Sequence, residues 1–337
     1  MNITSTCPPG ERVAVCIGGA ARTFAEYHVH ESIARHVLRA VIAMDSSRDV
    51  VIFARLKLAD AQSRGAAMGR PYAKSIDVPA NAVWAALRSF ERVPGVRLGT
   101  PFIDLLDRPP APFNTSRCGP LPMRWSTGPC KWPTSLSAAH QQSLLSQLET
   151  RHFCEGAAAS WVAGRGGHGH EHTARPKGFD WMIVMRPDLH FEVPMQPACS
   201  FPRSEITYAR GPVEAPQDSF LMVPASRLGE LGRGWRDWQA CERLHDLAYT
   251  RSPESVLLSD DVFEAGHTRQ VPQDLIGRPV ISRPRRTTGS LYRVNDTSDA
   301  GESALSQPPL PPHLNADVEP ACTAYVPSST LSRTRNP

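Results

Sequence analysis

The residues best suited to chemistry with a charged ligand stand in Arg186-Pro187-Asp188-Leu189-His190, directly after the apolar run Phe179 to Met185. A carboxylate just past a buried strand, followed two residues later by an imidazole, places Asp188 and His190 on one side if the chain stays extended. Such a pair suits a divalent cation that bridges a diphosphate, and Arg186 can meet the same phosphates with its guanidinium. An internal ion pair between Arg186 and Asp188 that closes the strand is the structural alternative. A second polar strand end is Gly18-Gly19-Ala20-Ala21-Arg22-Thr23. Glycines let backbone N–H groups approach a phosphate, and Arg22 can fork onto its oxygens; the same residues also make an ordinary tight turn with a surface arginine. The spacing is not Gly-x-Gly-x-x-Gly, which argues against a dinucleotide site.

Further acids are candidates for a general base that takes the proton of a hydroxyl: Asp218 first, then Asp260 or Asp261, each of which also suits a loop or helix cap. His168, His170 and His172 alternate through a glycine-rich stretch. Imidazoles spaced by two face the same way in an extended chain and can hold a transition metal, while the glycines favour a floppy insertion with incidental metal affinity. Trp125 and Trp132 can stack on a sugar ring or anchor a long loop. Ser126 and Ser219 lack the Gly-x-Ser-x-Gly setting of a hydrolase elbow.

Those residues need a scaffold, and its pattern is that of a parallel α/β sheet. Arg12 to Ile17 is a short apolar run closed by Gly18-Gly19, and Asp49 to Phe53 is a second one. Between them His30 to Met44 carries Ile33, Ala34, Val37, Leu38, Val41 and Ile42 at helical spacing. Pro79 to Arg92 predicts another helix, burying Val83, Trp84, Leu87 and Phe90, with a third strand at Val96 to Leu98. Ser135 to Gly156 predicts a long helix. Ile206 to Tyr208 and Phe220 to Val223 read as short strands, and Arg236 to Tyr249 and Ser255 to Ala265 as helices. The expected organisation is a disordered N-terminus over 1–10, one glycine- and proline-interrupted α/β domain over 11–296, and a disordered Ser/Pro-rich tail over 297–337.

The composition bounds the class. The chain has 337 residues, 41% of them hydrophobic, enough for one large core, and its 32 prolines imply long ordered loops rather than a short-loop bundle. Lys and Arg exceed Asp and Glu by 37 to 33. No long basic stripe points to nucleic acid; Arg283-Pro284-Arg285-Arg286 reads as a solvated loop. The eight cysteines show neither a Cys-x-x-Cys nor zinc spacing. They permit disulfides, Cys118 to Cys130 being the first pair to test, while Cys16 inside an apolar strand reads as a free core thiol. Three triplets, at Asn2, Asn114 and Asn295, have the N-glycosylation pattern and suggest the secretory or Golgi lumen. The first residues carry no signal-peptide pattern and no apolar run has spanning length, so a cytoplasmic location stands as the alternative.

Together, VAVCIGGAARTF, FDWMIVMRPDLHF and QDSFLMVPASRL resemble, in order and spacing, a group of poorly characterised algal, plant and microbial proteins that look like GT-A-type glycosyltransferases. That group shares a Gly-x-x-Arg-Thr-Phe turn, an Arg-Pro-Asp motif and a later Asp-x-Phe segment, and the resemblance covers roughly residues 12–267. It implies a GT-A/Rossmann-like α/β fold with a mostly parallel central sheet flanked by helices and interrupted by long Pro-rich loops. It also implies a nucleotide-sugar donor, an unknown hydroxyl acceptor, and Mn²⁺ or Mg²⁺. Carried over, Gly18, Gly19 and Arg22 fall in the first turn and Asp218 in the later acidic position. Arg186 and Asp188 occupy the place of a metal-binding Asp-x-Asp, with Asp188 and His190 as the metal ligands. His190 stands where that motif would offer a second carboxylate. Pro253-Glu254 also resembles the group, and Glu254 equally suits a helix N-terminus. The expected activity is therefore glycosyl transfer; a GT-A-like scaffold that binds a sugar nucleotide or a protein partner without turnover is the competing expectation.

Overall fold

The computed structural model describes residues 8, 10–42, 49–59, 77–107, 113, 138–165, 178–210, 216–240 and 267–282. Nine strands are described among them: β1 Arg12–Ala20, β2 Asp49–Lys57, β3 Val96–Leu106, β4 Trp181–Met185, β5 Leu189–Phe191, β6 Ile206–Arg210, β7 Pro216–Pro224, β8 Thr268–Val271 and β9 Pro279–Ile281. Seven form one sheet in the order β3-β2-β1-β4-β7-β6-β8, and β5 pairs with β9 in a separate two-stranded sheet. Pairing is parallel from β3 through β4 and again between β6 and β8, whereas β7 runs antiparallel to both its neighbours. The expected class, a mostly parallel α/β sheet with flanking helices, is the one observed.

Alternation along the strands divides the core into two layers. Val13, Val15 and Ile17 of β1, with Val50, Ile52, Ala54 and Leu56 of β2, face one layer. There they meet α1 Tyr27–Ile33, a π-helical stretch over Ala34–Leu38, α2 Arg39–Ile42 and α3 Ala80–Ser89. The helix expected over 30–44 is thus real but interrupted, and within the wide turn the His36 carbonyl accepts the Met195 N–H at 2.9 Å. Ala14, Cys16, Val51 and Phe53 face the other layer, formed by α4 Ala138–Arg165 and α5 Arg233–Gln239. Leu145, Leu148, Phe153 and Ala157 of α4 are buried against them.

Two expectations change here. Cys16 is not a free thiol: it is disulfide-bonded to Cys154 of α4, tying the central strand to its covering helix across 138 residues of chain. An apolar strand context says only that the sulfur is buried, and both members of this cystine are fully buried. Cys199 is also in a disulfide. Several strands are longer than their apolar runs suggested, because polar residues at the strand ends still pair. β1 continues through both glycines, with Gly18 opposite Arg55 and Ala20 opposite Lys57. Cys118, Cys130, the three glycosylation triplets, the expected tail and the helix expected over 255–265 lie outside the described residues.

Candidate functional site

In the strand order, the chain moves from β1 to β2 to β3 on one side and then returns to place β4 on the other side of β1. β1 and β4 are adjacent and parallel, so the loops after them leave the carboxyl end of the sheet side by side, the edge at which the crevice of an open α/β sheet binds its ligand. The loops after β1 and β4 are the two polar segments singled out above.

The first loop is held tightly. Ala21 N–H donates to the Lys57 carbonyl at 2.9 Å, and Thr23 Oγ1 donates to the Ser282 carbonyl at 3.2 Å. Arg22 between them has a φ of +22°, a sign that non-glycine residues seldom take. Gly19 has φ +129°, and a Cβ there would lie 3.3 Å from Pro187 Cδ, so the two loops touch at this point. Gly18 has a different duty. A Cβ on it would fall 2.0 Å from Thr150 Cγ2, so its bareness admits α4 against β1.

The second loop turns at Pro187 and Asp188 instead of staying extended. Arg186 N–H donates to the Ser219 carbonyl at 3.0 Å, extending the β4–β7 ladder beyond the paired Met185 and Phe220. Asp188, only 1% exposed, is turned toward Arg186 and Arg22. Its Oδ1 accepts from Arg186 Nε at 3.0 Å and its Oδ2 from Arg186 Nη2 at 2.8 Å, a bidentate fork. Oδ2 also accepts from Arg22 Nη1 at 3.4 Å. The ion pair between Arg186 and Asp188 therefore exists, and Arg22 joins it from the other loop. Both arginines keep part of their side chains in solvent, 24% for Arg22 and 28% for Arg186.

His190 goes elsewhere. It lies on β5, opposite Val280 of β9, and its ring packs on His28 of α1 with centroids 5.7 Å apart. Its Nδ1 is 3.1 Å from the His28 carbonyl, so Nδ1 carries the proton that it donates. The turn at 187–188 removes the extended geometry on which a shared Asp188–His190 face depended. Asp188 gives both oxygens to guanidinium N–H groups, and among the described residues no group of three or more His, Cys, Asp or Glu is arranged to hold a metal ion. As they stand, these side chains do not fit a divalent cation.

Asp218 lies on β7, one residue before Ser219 and past the β4–β7 pairing, so its backbone belongs to the same end of the sheet as Asp188. Its side chain lies outside what the structure describes, as do Asp260, Asp261, Glu254, Trp125, Trp132, His168, His170 and His172.

Sequence reasoning passed over a second polar group at this edge, on the α4 side. Arg55 of β2 pairs with Glu149 of α4 at 2.9 Å and with Asp104 of β3 at 3.6 Å, and Lys57 bonds Ser146 Oγ. Burial pushes the Asp104 carboxyl above its ordinary range, against the pull of Arg55. The signal was available: Arg55 and Lys57 break an apolar strand at a spacing of two and so must share a face.

No known protein-family profile matches the chain, and no curated protein matches it in sequence. Solved structures with a similar course of chain include the glycosyltransferase GlyE of Streptococcus pneumoniae TIGR4, with a TM-score of 0.35 and 11% identity over 78% of this chain and 45% of that one. Its apo form gives 0.35 and 11% over 79% and 46%. The apo structure of the bifunctional glycosyltransferase WbbM gives 0.37 and 8% over 81% and 40%. The chain spans less than half the length of each. Among the described residues no helix is long and apolar enough to cross a membrane.

Proposed function

We propose that the protein transfers a glycosyl unit from a nucleotide-diphosphate sugar to a hydroxyl acceptor. The observation that carries this reading is the convergence of Arg22 and Arg186 on the buried Asp188 at the crevice between β1 and β4. Two guanidiniums meet on one buried carboxylate where the loops join. Each guanidinium is a planar fork matched to phosphate oxygens, and each retains solvent-facing surface. A diphosphate seated there gains charge as it departs from the sugar, so fixed positive groups stabilise the transition state more than the bound donor. Gly19 lets the first loop come close to Pro187, which keeps the two arginines on one ligand. Asp218, from the same sheet end, is the acid proposed to take the acceptor proton.

A donor-binding scaffold without turnover is the second reading, and His190 favours it: the position expected to supply a second acid is an imidazole turned to His28. Thermal-shift measurements against UDP- and GDP-sugars test both readings, because a ligand of the folded state raises Tm. Stabilisation by a donor together with its slow hydrolysis, abolished in Arg22→Ala, supports the transferase. Stabilisation without turnover supports the scaffold, and no shift with any nucleotide sugar rejects both. For location we propose an oxidising compartment such as the secretory lumen, a reading supported by the buried Cys16–Cys154 cystine and by the three glycosylation triplets.

A further inference from the structure

We infer that the crevice holds its diphosphate without a metal ion, with Arg22 and Arg186 supplying the charge and Asp188 acting only as the residue that positions them; this rests on the donor reading above. A carboxylate that ligates a cation must present lone pairs to it. Those of Asp188 are directed at Arg186 Nε and Nη2, at 3.0 and 2.8 Å, and at Arg22 Nη1, at 3.4 Å. A divalent ion placed on that carboxylate would add its charge to that of two guanidiniums already bonded there. Repulsion would have to be offset by further anionic ligands. His190, expected beside Asp188 as the second ligand, has its ring on His28 instead.

The same geometry is well formed for an anion. The Asp188 fork fixes the plane of the Arg186 guanidinium, and the contact from Arg22 brings a second cation to the same point across the two loops. Holding two like charges together costs free energy, and the buried Asp188 carboxylate offsets part of that cost before a ligand arrives. Side chains oriented in advance lose little freedom on binding, so the arginines can bridge successive phosphates as a cation would. The positive φ at Arg22 fits this role, since backbone strain persists where the surroundings over-determine a functional geometry.

The test is isothermal titration of the full-length protein with UDP, GDP, UMP, GMP and inorganic pyrophosphate, in EDTA and in Mn²⁺ or Mg²⁺. At least one nucleoside diphosphate should bind in EDTA, with a Kd that changes less than about threefold when a metal is added. Arg22→Gln, which leaves the Asp188–Arg186 fork in place and so spares the fold, should weaken the diphosphate by about tenfold or more and the corresponding monophosphate much less. Arg22→Lys should recover only part of that loss, because it keeps the charge and loses the fork. Diphosphate binding that appears only with Mn²⁺ or Mg²⁺ overturns metal independence and leaves the donor reading standing. Binding in EDTA that Arg22→Gln does not weaken overturns the role of the arginines. No binding of either nucleoside diphosphate under any condition overturns this inference and the donor reading together.

Discussion

Arg22 and Asp188 lie 166 positions apart in the chain and meet at the crevice, Nη1 to Oδ2 at 3.4 Å, with Arg186 on the far side of the same carboxylate. The order of strands explains the meeting: β1 and β4 are adjacent and parallel, so their following loops leave the sheet side by side. The roles within the trio are unequal. Asp188 is buried and accepts from both arginines, so removing its charge releases both guanidiniums at once, whereas removing Arg22 leaves the Arg186 fork.

Asp188→Asn is therefore expected to destabilise the fold by roughly 3 kcal/mol, the low end for breaking a buried ion pair, because the guanidiniums left behind are partly hydrated. Arg22→Gln should cost less, about 1 kcal/mol, because Arg22 is partly in solvent and Asp188 keeps its Arg186 fork. Urea denaturation of both variants decides the matter. Equal small losses would show that Asp188 is not the centre of the cluster.

The centre of the sheet was legible in the sequence, because buried parallel strands show as apolar runs at β1, β2 and β4. The polar residues after β1 and β4 were legible as loops, and the adjacency of those two strands brings them to one end of the sheet. What a linear reading missed depends on partners far away in the chain. The cystine at Cys16 required knowing that α4 returns to cover β1. The direction of His190 required the turn at 187–188. Gly18 read as a phosphate loop residue, yet a Cβ on it would run into Thr150 of α4, a relationship no local pattern encodes.

Asp218→Asn should lower glycosyl transfer by about a hundredfold or more, the usual contribution of a general base, while leaving the Kd for the nucleoside diphosphate unchanged. Titration calorimetry and single-turnover kinetics on the same preparation separate the two quantities. A variant that transfers at the original rate would move the base to another acid.

Stability should fall as the solution is acidified below about pH 6.5. Burial holds His30, His36 and His152 below their ordinary 6.5, so the folded state binds fewer protons than the unfolded chain in that window. The penalty begins as the unfolded imidazoles charge and is complete once the pH passes below the folded values. Asp104 acts in the opposite sense at lower pH: its carboxyl is raised above 3.8 by burial, so protonating it relieves a cost of folding. His152→Gln should flatten the fall of Tm between about pH 7 and about pH 5 relative to the original protein. An unchanged slope would show that His152 is not held neutral by its surroundings.

Reducing the cystine should loosen the contact between α4 and the sheet. Linking residues 138 positions apart removes a large loop from the unfolded ensemble. On that account the double variant Cys16→Ala/Cys154→Ala loses up to about 5 kcal/mol, less any structure that the unfolded chain retains. Chemical denaturation gives the loss, and peptide mapping without reductant should recover the two cysteines in one linked fragment. Separate fragments would return Cys16 to the state of a free core thiol.

The contact of Gly18 with Thr150 allows the sharpest test of how α4 sits on β1. A methyl group at Gly18 would overlap Thr150 Cγ2, so Gly18→Ala must push the helix outward or force Thr150 off its rotamer. Overpacking of this kind costs about 1–3 kcal/mol. The hydroxyl of Thr150 already donates to the Ser146 carbonyl at 2.8 Å, and a serine at that position keeps this bond while deleting the clashing methyl. Thr150→Ser alone removes one buried methyl and should destabilise by about 1 kcal/mol, but in the Gly18→Ala background it should stabilise, because the new methyl fills the space the old one left. A double-mutant cycle read by urea denaturation measures that change of sign. If the two losses simply add, the residues are not in contact, and Gly18 does not set how α4 lies on β1.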